Sequence, residues 1–383
     1  MLPQRASNSM HALFLRLSSL RFTVVLLLLS LMLVFAGTLA QVELGIYRSQ
    51  QVYFESFFLW SELFGRTLPV LPAGYTIGTL LLVNLVSAFI VRFKVKGKHA
   101  GLLCVHSGLI LLLLGEVLTD VLSVESQLRL VEGESKDYSE SIFNYELAVA
   151  RAIDSGQRVV AYDSQQLVEG AELSHAEMPL QLEVLKFWPN SMLRAQSTAS
   201  PTQADSGIGA AVSVVALPLT GKLDERNVPT ALVHCRVGGE DLGTYILSGH
   251  LGEADRIELA NGMYAELSLR PQRYYMASTV HLDDFVREVY PGTNKPSHFE
   301  SKLTLSGGEL PADRKVAIYM NHPLRFDGKT FYQASFAGEE TISILQVVQN
   351  PTWLLPYVSC LLITIGLCWQ SLSRLKIRKG SAA

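Results

Sequence analysis

Hydrophobic positions along the chain follow two different periods. Towards both ends lie long apolar runs without charge. Phe22 to Val42 lies uncharged between Arg21 and Glu43, and Thr67 to Val91 lies uncharged between Arg66 and Arg92. Ala100 to Gly115 is shorter but continues through Glu116 to Leu122, and Thr341 to Ser373 is again free of charge. About 20 apolar helical residues cross the ~30 Å hydrocarbon layer of a bilayer. The four runs therefore predict transmembrane helices at 22–42, 73–91, 100–122 and 351–372. The start of the last run alternates like a strand, and Pro351, a residue suited to a first helical turn, marks where its helix is expected to begin.

Between the third and fourth runs the period falls to two. Leu180-Gln181-Leu182-Glu183-Val184 alternates, as does Tyr264-Ala265-Glu266-Leu267-Ser268-Leu269. Further β-rich runs occupy Ala211 to Leu217, Thr244 to Leu247, Phe331 to Phe336 and Ile342 to Val348. Turn pairs such as Asn261-Gly262, Pro291-Gly292 and Asp327-Gly328 lie between strands. Residues 123–350 are accordingly expected to form a large antiparallel β-rich domain, a sandwich or an open barrel, with one short helix at Leu282 to Val289. Asn190 to Gly209, rich in Ser, Thr, Ala and Gln, reads as a mobile loop or as a boundary between two halves of the domain.

Charge placement orients the spans. Arg5, Arg16 and Arg21 lie in 1–21, Arg92, Lys94, Lys96 and Lys98 in the link 92–99, and Arg374, Lys376, Arg378 and Lys379 in 373–383. If all four runs cross, these segments share one side. The positive-inside rule then places both termini and the link in the cytoplasm, and the loop 43–72 and the β-rich domain outside it. The expected location is the cytoplasmic (inner) membrane, multi-pass. A rival reading of the first run is a signal peptide cleaved after Thr38-Leu39-Ala40, which leaves three spans and an outer N-terminus.

Composition narrows the function classes. Only 17% of the 383 residues are charged, against about 25% in soluble domains, as expected of membrane segments. A net charge of −3 gives no basis for nucleic-acid binding. Of the four cysteines only Cys235 lies in the polar domain, so no disulfide forms within it. The absence of C-x-x-C and C-x-x-C-H argues against a thioredoxin-like role and against a c-type cytochrome. No G-x-S-x-G, P-loop, dinucleotide fingerprint or H-E-x-x-H occurs, so nothing supports a hydrolase, kinase or dehydrogenase.

The sharpest single residue is His106, inside the third run and seven positions after His99. Seven residues is close to two turns, so both rings share one side of the helix, with His106 about 10 Å deeper. An imidazole within hydrocarbon must face protein, water or a ligand. Two readings stand: an axial ligand to haem iron, or an interhelical hydrogen bond to Asn84 or Ser87. Glu116, followed one turn later by Asp120, reads as an emerging helix end. The β-rich region carries His175, His234, His250, His281, His298 and His322, none at metal-ligand spacing. His281 and His322 are weaker haem-ligand candidates. Asp283-Asp284 reads as a turn or helix cap rather than a catalytic pair.

Several segments together resemble the ResB-like family of system II cytochrome c biogenesis. Leu17-Ser18-Ser19-Leu20-Arg21-Phe22-Thr23-Val24-Val25-Leu26 looks like the family's entry to its first span, and a basic link precedes the span carrying His106. Thr279-Val280-His281-Leu282-Asp283-Asp284-Phe285, Tyr290-Pro291-Gly292-Thr293, Phe299-Glu300-Ser301, Asn321-His322-Pro323-Leu324 and Gly328-Lys329-Thr330-Phe331-Tyr332-Gln333-Ala334-Ser335-Phe336 follow in order. The resemblance implies a role in covalent haem attachment to apocytochrome c, beside a ResC/CcsA-type partner that carries a tryptophan-rich haem-binding segment. Trp60, Trp188, Trp353 and Trp369 stand singly here, so this chain lacks that segment. The resemblance further implies a b-type haem held transiently, with His106 as one axial ligand and a partner histidine as the other. The chain is then a non-hydrolytic subunit of a cytochrome c haem lyase complex. A different class, a membrane-anchored scaffold that captures an extracytoplasmic protein by strand addition without a cofactor, remains the alternative.

Overall fold

The computed structural model describes residues 14–63, 65–92, 100–154, 156–195, 203–221, 225–259, 262–293, 296–337 and 341–380. His99, most of the basic link and part of the Ser/Thr-rich segment lie outside them. The chain divides into a helical unit, built mainly from residues 1–123 and 350–383, and a β unit between them.

Four helices of the helical unit are long and apolar enough to cross a membrane. They are α1 (Leu20–Leu44), α2 (Gly74–Arg92), α3 (Ala100–Leu122) and α4 (Leu355–Gly380). The Leu17-Ser18-Ser19 motif has a local cause. Ser19 caps α1 by accepting from the Phe22 N–H at 3.2 Å, which satisfies one of the open donors of a helix start. The Leu17 carbonyl, at the end of the helical turn that precedes α1, accepts from Asn84 Nδ2 on α2. Thr23 Oγ1 donates to Asn84 Oδ1 at 2.8 Å. Both ends of the buried Asn84 amide are thus used to join α2 to α1.

The closest helix pair is α3 with α4. Gly101, Gly108 and Gly115 recur every seven residues and are buried. A Cβ at Gly101 would lie 2.8 Å from the Gly366 carbonyl oxygen, and one at Gly108 would lie 2.9 Å from that of Ser359. Small residues let two backbones meet where lipid provides no hydrophobic drive for association. The last helix begins at Leu355, with Pro356 in its first turn, rather than near Pro351. Asn350 Oδ1 accepts from the Thr352 N–H at 2.8 Å, closing a side-chain turn around Pro351 that holds the backbone out of helix. Within the segment expected as a loop, β1 (Phe58–Leu63) and β2 (Arg66–Pro72) form an antiparallel hairpin.

The β unit answers the choice between sandwich and barrel with both. In its first half, β4 (Ser135–Ile153), β5 (Gly156–Asp163), β12 (Asp255–Glu258) and the start of β13 (Tyr264–Val289) face a second sheet. That sheet has the order β11 (Glu240–Ser248), β10 (Thr230–Val237), β7 (Met178–Trp188), β6 (Glu172–His175). Leu147, Val149, Leu182, Val184, Val233 and Leu267 fill the space between. In the second half the order is β15 (Arg314–Tyr319), β14 (Pro296–Gly307), β13, β4, β3 (Val124–Val131), β18 (Ile342–Gln349), β17 (Lys329–Ala337), β16 (Leu324–Phe326). A bridge between Tyr319 and His322 brings the two ends of this sheet together. The result is a nearly closed barrel around Leu128, Leu130, Val280, Leu282, Leu303, Leu305, Phe331, Leu345 and Val347. The long strands β4 and β13 run through both halves. Their pairing breaks at Pro271, which has no N–H to offer the ladder.

Two expectations are corrected. Leu282 to Val289 is strand, paired with β14 throughout. A bulge between Leu282 and Asp284 inserts one extra polar residue. Leu282, Phe285, Val286 and Val289 then recur with helical spacing although the backbone is extended. The Ser/Thr-rich segment is in part ordered structure: Ser191–Ala195 forms β8, paired with β9 (Val212–Ala216), and Ala204 is buried.

Candidate functional site

His106 lies in the second turn of α3, half-buried. Its Nδ1 is 2.9 Å from the Leu102 carbonyl oxygen, one turn earlier. A carbonyl oxygen only accepts, so Nδ1 donates to it. A histidine whose other ring nitrogen donates to a carbonyl is held in the tautomer and orientation that metal ligation requires. At roughly 100° per residue, His106 lies about 150° around α3 from Gly101 and Gly108, so it points away from the α4 seam. Asn84 and Ser87 do not take up the ring. Asn84 is committed to Leu17 and Thr23, and Ser87 Oγ is buried without a hydrogen-bond partner. An imidazole held in this way would suit haem iron as a ligand. Among the described residues no three His, Cys, Asp or Glu side chains gather as a metal site.

At the other end of α3, Glu116 is exposed, and Asp120 accepts from the Tyr75 hydroxyl at 2.6 Å. Thr119 Oγ1 lies 2.9 Å from Thr352 Oγ1, linking the last turn of α3 to the segment that precedes α4. These contacts tie the helix ends together and hold no convergent set of donors.

In the β unit, three of the ResB-like motif segments, those carrying Phe285, Phe299 to Ser301 and Gln333 to Phe336, come together at one end of the barrel. Val124 pairs with Gln349 at the end where the chain enters and leaves. At the opposite end of that strand pair, Phe336 packs against Phe285 and Phe299 with ring centroids 5.9 Å apart in both cases. The Arg287 guanidinium lies 4.9 Å above the Phe336 ring. Beneath them sits a buried polar layer. Ser301 Oγ donates to Gln333 Oε1 at 2.6 Å and lies 2.6 Å from Ser343 Oγ. Gln333 Nε2 donates to Ser343 Oγ at 3.2 Å. Buried polar groups of this kind are tolerated because each is satisfied. Phe285, Phe299, Ser301, Gln333 and Phe336 are residues that single-residue reasoning passed over in favour of histidines. Their signal was the motif segments themselves, which are far apart in sequence and adjacent on neighbouring strands.

The weaker histidine candidates do not converge with that cluster. His281 lies on the outer surface, Nδ1 2.8 Å from Ser135 Oγ and Nε2 3.8 Å from Asp283. His322 stacks on Tyr319 with centroids 4.5 Å apart, in a turn where Asn321 takes φ = 62°. Asp283 and Asp284 form neither turn nor cap. They sit in the β13 bulge, where Asp283 accepts from Thr304 at 2.7 Å and Asp284 pairs with Lys302 at 2.8 Å. Cys235 is buried in the sandwich core, and burial pushes its thiol up to about 12, so it is an inert thiol rather than a nucleophile.

Comparison with known proteins agrees with the motifs. Residues 259–344 match the ResB-like family, and that stretch contains the barrel segments just described. "Protein NrfI" of Wolinella succinogenes is 24% identical over 278 residues, covering 72% of this chain and 28% of that protein. "Cytochrome c biogenesis protein CcsB" of Prochlorococcus marinus is 42% identical over 59 residues, 15% of this chain and 14% of that protein. A solved structure of "Cytochrome c Heme Lyase CcmF" aligns at 12% identity and a TM-score of 0.21, covering 96% of this chain and 39% of that one. The matches span well under half the length of each of these relatives.

Proposed function

We propose that this chain, ResB-like over residues 259–344, is a membrane subunit of cytochrome c maturation that handles haem and presents apocytochrome c for covalent attachment. The observation that carries the proposal is the convergence of three family-matched segments at one end of the barrel, in a chain with four span-length helices. The Lys/Arg segments 1–21, 92–99 and 373–383 favour a cytoplasmic side for both ends. In that arrangement the β unit is extracytoplasmic and the membrane is the inner one. A ResC/CcsA-type membrane protein is the expected partner.

His106 is the residue proposed to bind haem iron. A b-type haem supplies the vinyl groups that become thioether links. The chain's own part is to present the ring on the side of α3 opposite the α4 seam, with the Leu102 carbonyl holding its orientation. The β unit is proposed to hold the protein substrate close to haem, so that proximity rather than acid–base groups accelerates the reaction. This is consistent with a non-hydrolytic subunit, since the sequence holds no catalytic constellation of the hydrolase kind.

The test is co-purification with the partner. His106→Ala is expected to lower haem content and alter the iron spectrum, with excess imidazole restoring the spectrum. Unchanged content and spectrum would remove the ligand assignment. Absence of haem from the wild-type complex would favour the cofactor-free scaffold.

A further inference from the structure

We propose that the β1–β2 hairpin is an interfacial anchor, lying in the headgroup layer of the bilayer that α1 and α2 cross. The ribbon pairs only with itself among the described residues, and nearly every one of its side chains is exposed. The exposed residues are strongly apolar: Trp60 is 62% exposed, Leu71 53% and Phe58 43%. Cross-strand partners share a face. Phe58 with Pro72 and Trp60 with Pro69 lie on one side, and Leu59 with Leu71 and Ser61 with Leu68 on the other. The ribbon is thus apolar on both faces. A protein docking on one face would leave the other bare, and a lone two-stranded hairpin in water is marginally stable at best. A surrounding apolar medium wets both faces at once.

Full immersion in hydrocarbon is excluded. The outer edge of each strand carries N–H and C=O groups without a strand partner, which hydrocarbon cannot satisfy. Glu62 and Arg66 sit beside the turn. The boundary between headgroups and acyl chains meets both demands, with water and phosphate for the edges and apolar contact for the faces. Tryptophan is enriched at that depth.

The base of the hairpin is fixed to the start of the second span. The Phe57 carbonyl accepts from the Ala73 N–H at 3.0 Å and from Thr76 Oγ1 at 2.5 Å. The Tyr75 N–H donates to the Ser56 carbonyl at 3.1 Å, and the Phe57 and Tyr75 rings meet edge to face at 5.4 Å. Gly74 lets the chain close there, since a Cβ would lie 2.7 Å from Phe54 Cα. The base of the ribbon is therefore held directly against the first turn of α2, one of the span-length helices.

The full chain, reconstituted in phosphatidylcholine vesicles, gives the test through Trp60 fluorescence. Wild type minus Trp60→Phe isolates the Trp60 signal without disturbing the buried Trp188. That signal is expected to be lost in vesicles whose lipids carry bromine near the glycerol end of the acyl chains. It should largely survive aqueous iodide and bromine placed near the methyl end. Ready quenching by iodide but not by bromolipid overturns the proposal, as does strongest quenching at the methyl end. A signal that neither quencher reaches also overturns it and points to a protein neighbour. A Leu68→Glu variant, exposed and remote from the base, should shift the Trp60 signal towards iodide accessibility.

Discussion

Replacing Gly108 by alanine adds one methyl group in the close-packed seam between α3 and α4. The new Cβ would stand 2.7 Å from Ile363 Cγ1 and 2.9 Å from the Ser359 carbonyl oxygen. One of these neighbours is main chain, so rotating a side chain does not relieve the clash; α3 and α4 must separate. Overpacking of this kind costs about 1–3 kcal/mol, or roughly a 5- to 150-fold change in the unfolding equilibrium. Gly101→Ala meets the Gly366 oxygen at 2.8 Å and the Gln370 nitrogen at 2.9 Å, so it should cost a similar amount. Gly115→Ala meets only the Leu355 side chain, at 3.1 Å, and should be milder. Gly78 on α2 supplies the internal control, because nothing lies within 4 Å of a Cβ there. Gly78→Ala should be neutral or stabilising by about 0.5–1 kcal/mol, as for glycine in any helix interior. The assay is SDS-driven unfolding of the purified full chain, followed by circular dichroism. An order other than Gly101 and Gly108 worst, Gly115 intermediate and Gly78 harmless would refute the close-packed seam. It would also remove the argument that the seam sets the direction in which His106 points.

Three further outcomes are expected. Arg270→Ala strands the Glu146 carboxylate, whose side chain is 7% exposed and pairs with Arg270 Nε at 3.0 Å. Chemical denaturation should register a loss of about 3–5 kcal/mol, whereas Arg158→Ala, at a surface pair, should leave the midpoint in place. Cys235 should resist N-ethylmaleimide at pH 8 until the chain is unfolded, as read by mass spectrometry. With its thiol pushed up to about 12, only about one molecule in ten thousand carries the thiolate at that pH. Asp255 is buried, and desolvation raises it above the ordinary 3.8. The folded state thus binds the proton more tightly than the unfolded one, and stability from this group falls as pH rises from 3.8 through the raised folded value. Asp255→Asn keeps an acceptor for the Ile208 N–H, so it should stabilise at pH 8 and lose that advantage towards pH 3. Equal effects at both pH values would contradict the assignment.

Much of this protein is legible in the order of its residues. Four apolar runs, each long enough to cross a bilayer, need no tertiary information, because helix length against membrane thickness is a one-dimensional comparison. Alternation in Leu180 to Val184 and Tyr264 to Leu269 likewise declares strands with one buried face. The ResB-like motifs and the singular position of His106 were also visible in the chain itself. Tertiary structure decided what lay across strands and helices. It joined Phe285, Phe299, Ser301, Gln333 and Phe336 at one barrel end, and it gave the Asn84 amide to Leu17 and Thr23 instead of His106. It also made Leu282 to Val289 a bulged strand despite its helical spacing, since the partner β14 satisfies its backbone. The hairpin within 58–72 was hidden in a segment read as a loop, because its cross-strand pairing lacks a regular alternation and includes Pro69 and Pro72 at edge-strand positions. Local pattern reports which face of an element is apolar. Only the packed chain determines which other face meets it, because that choice depends on contacts between residues hundreds of positions apart.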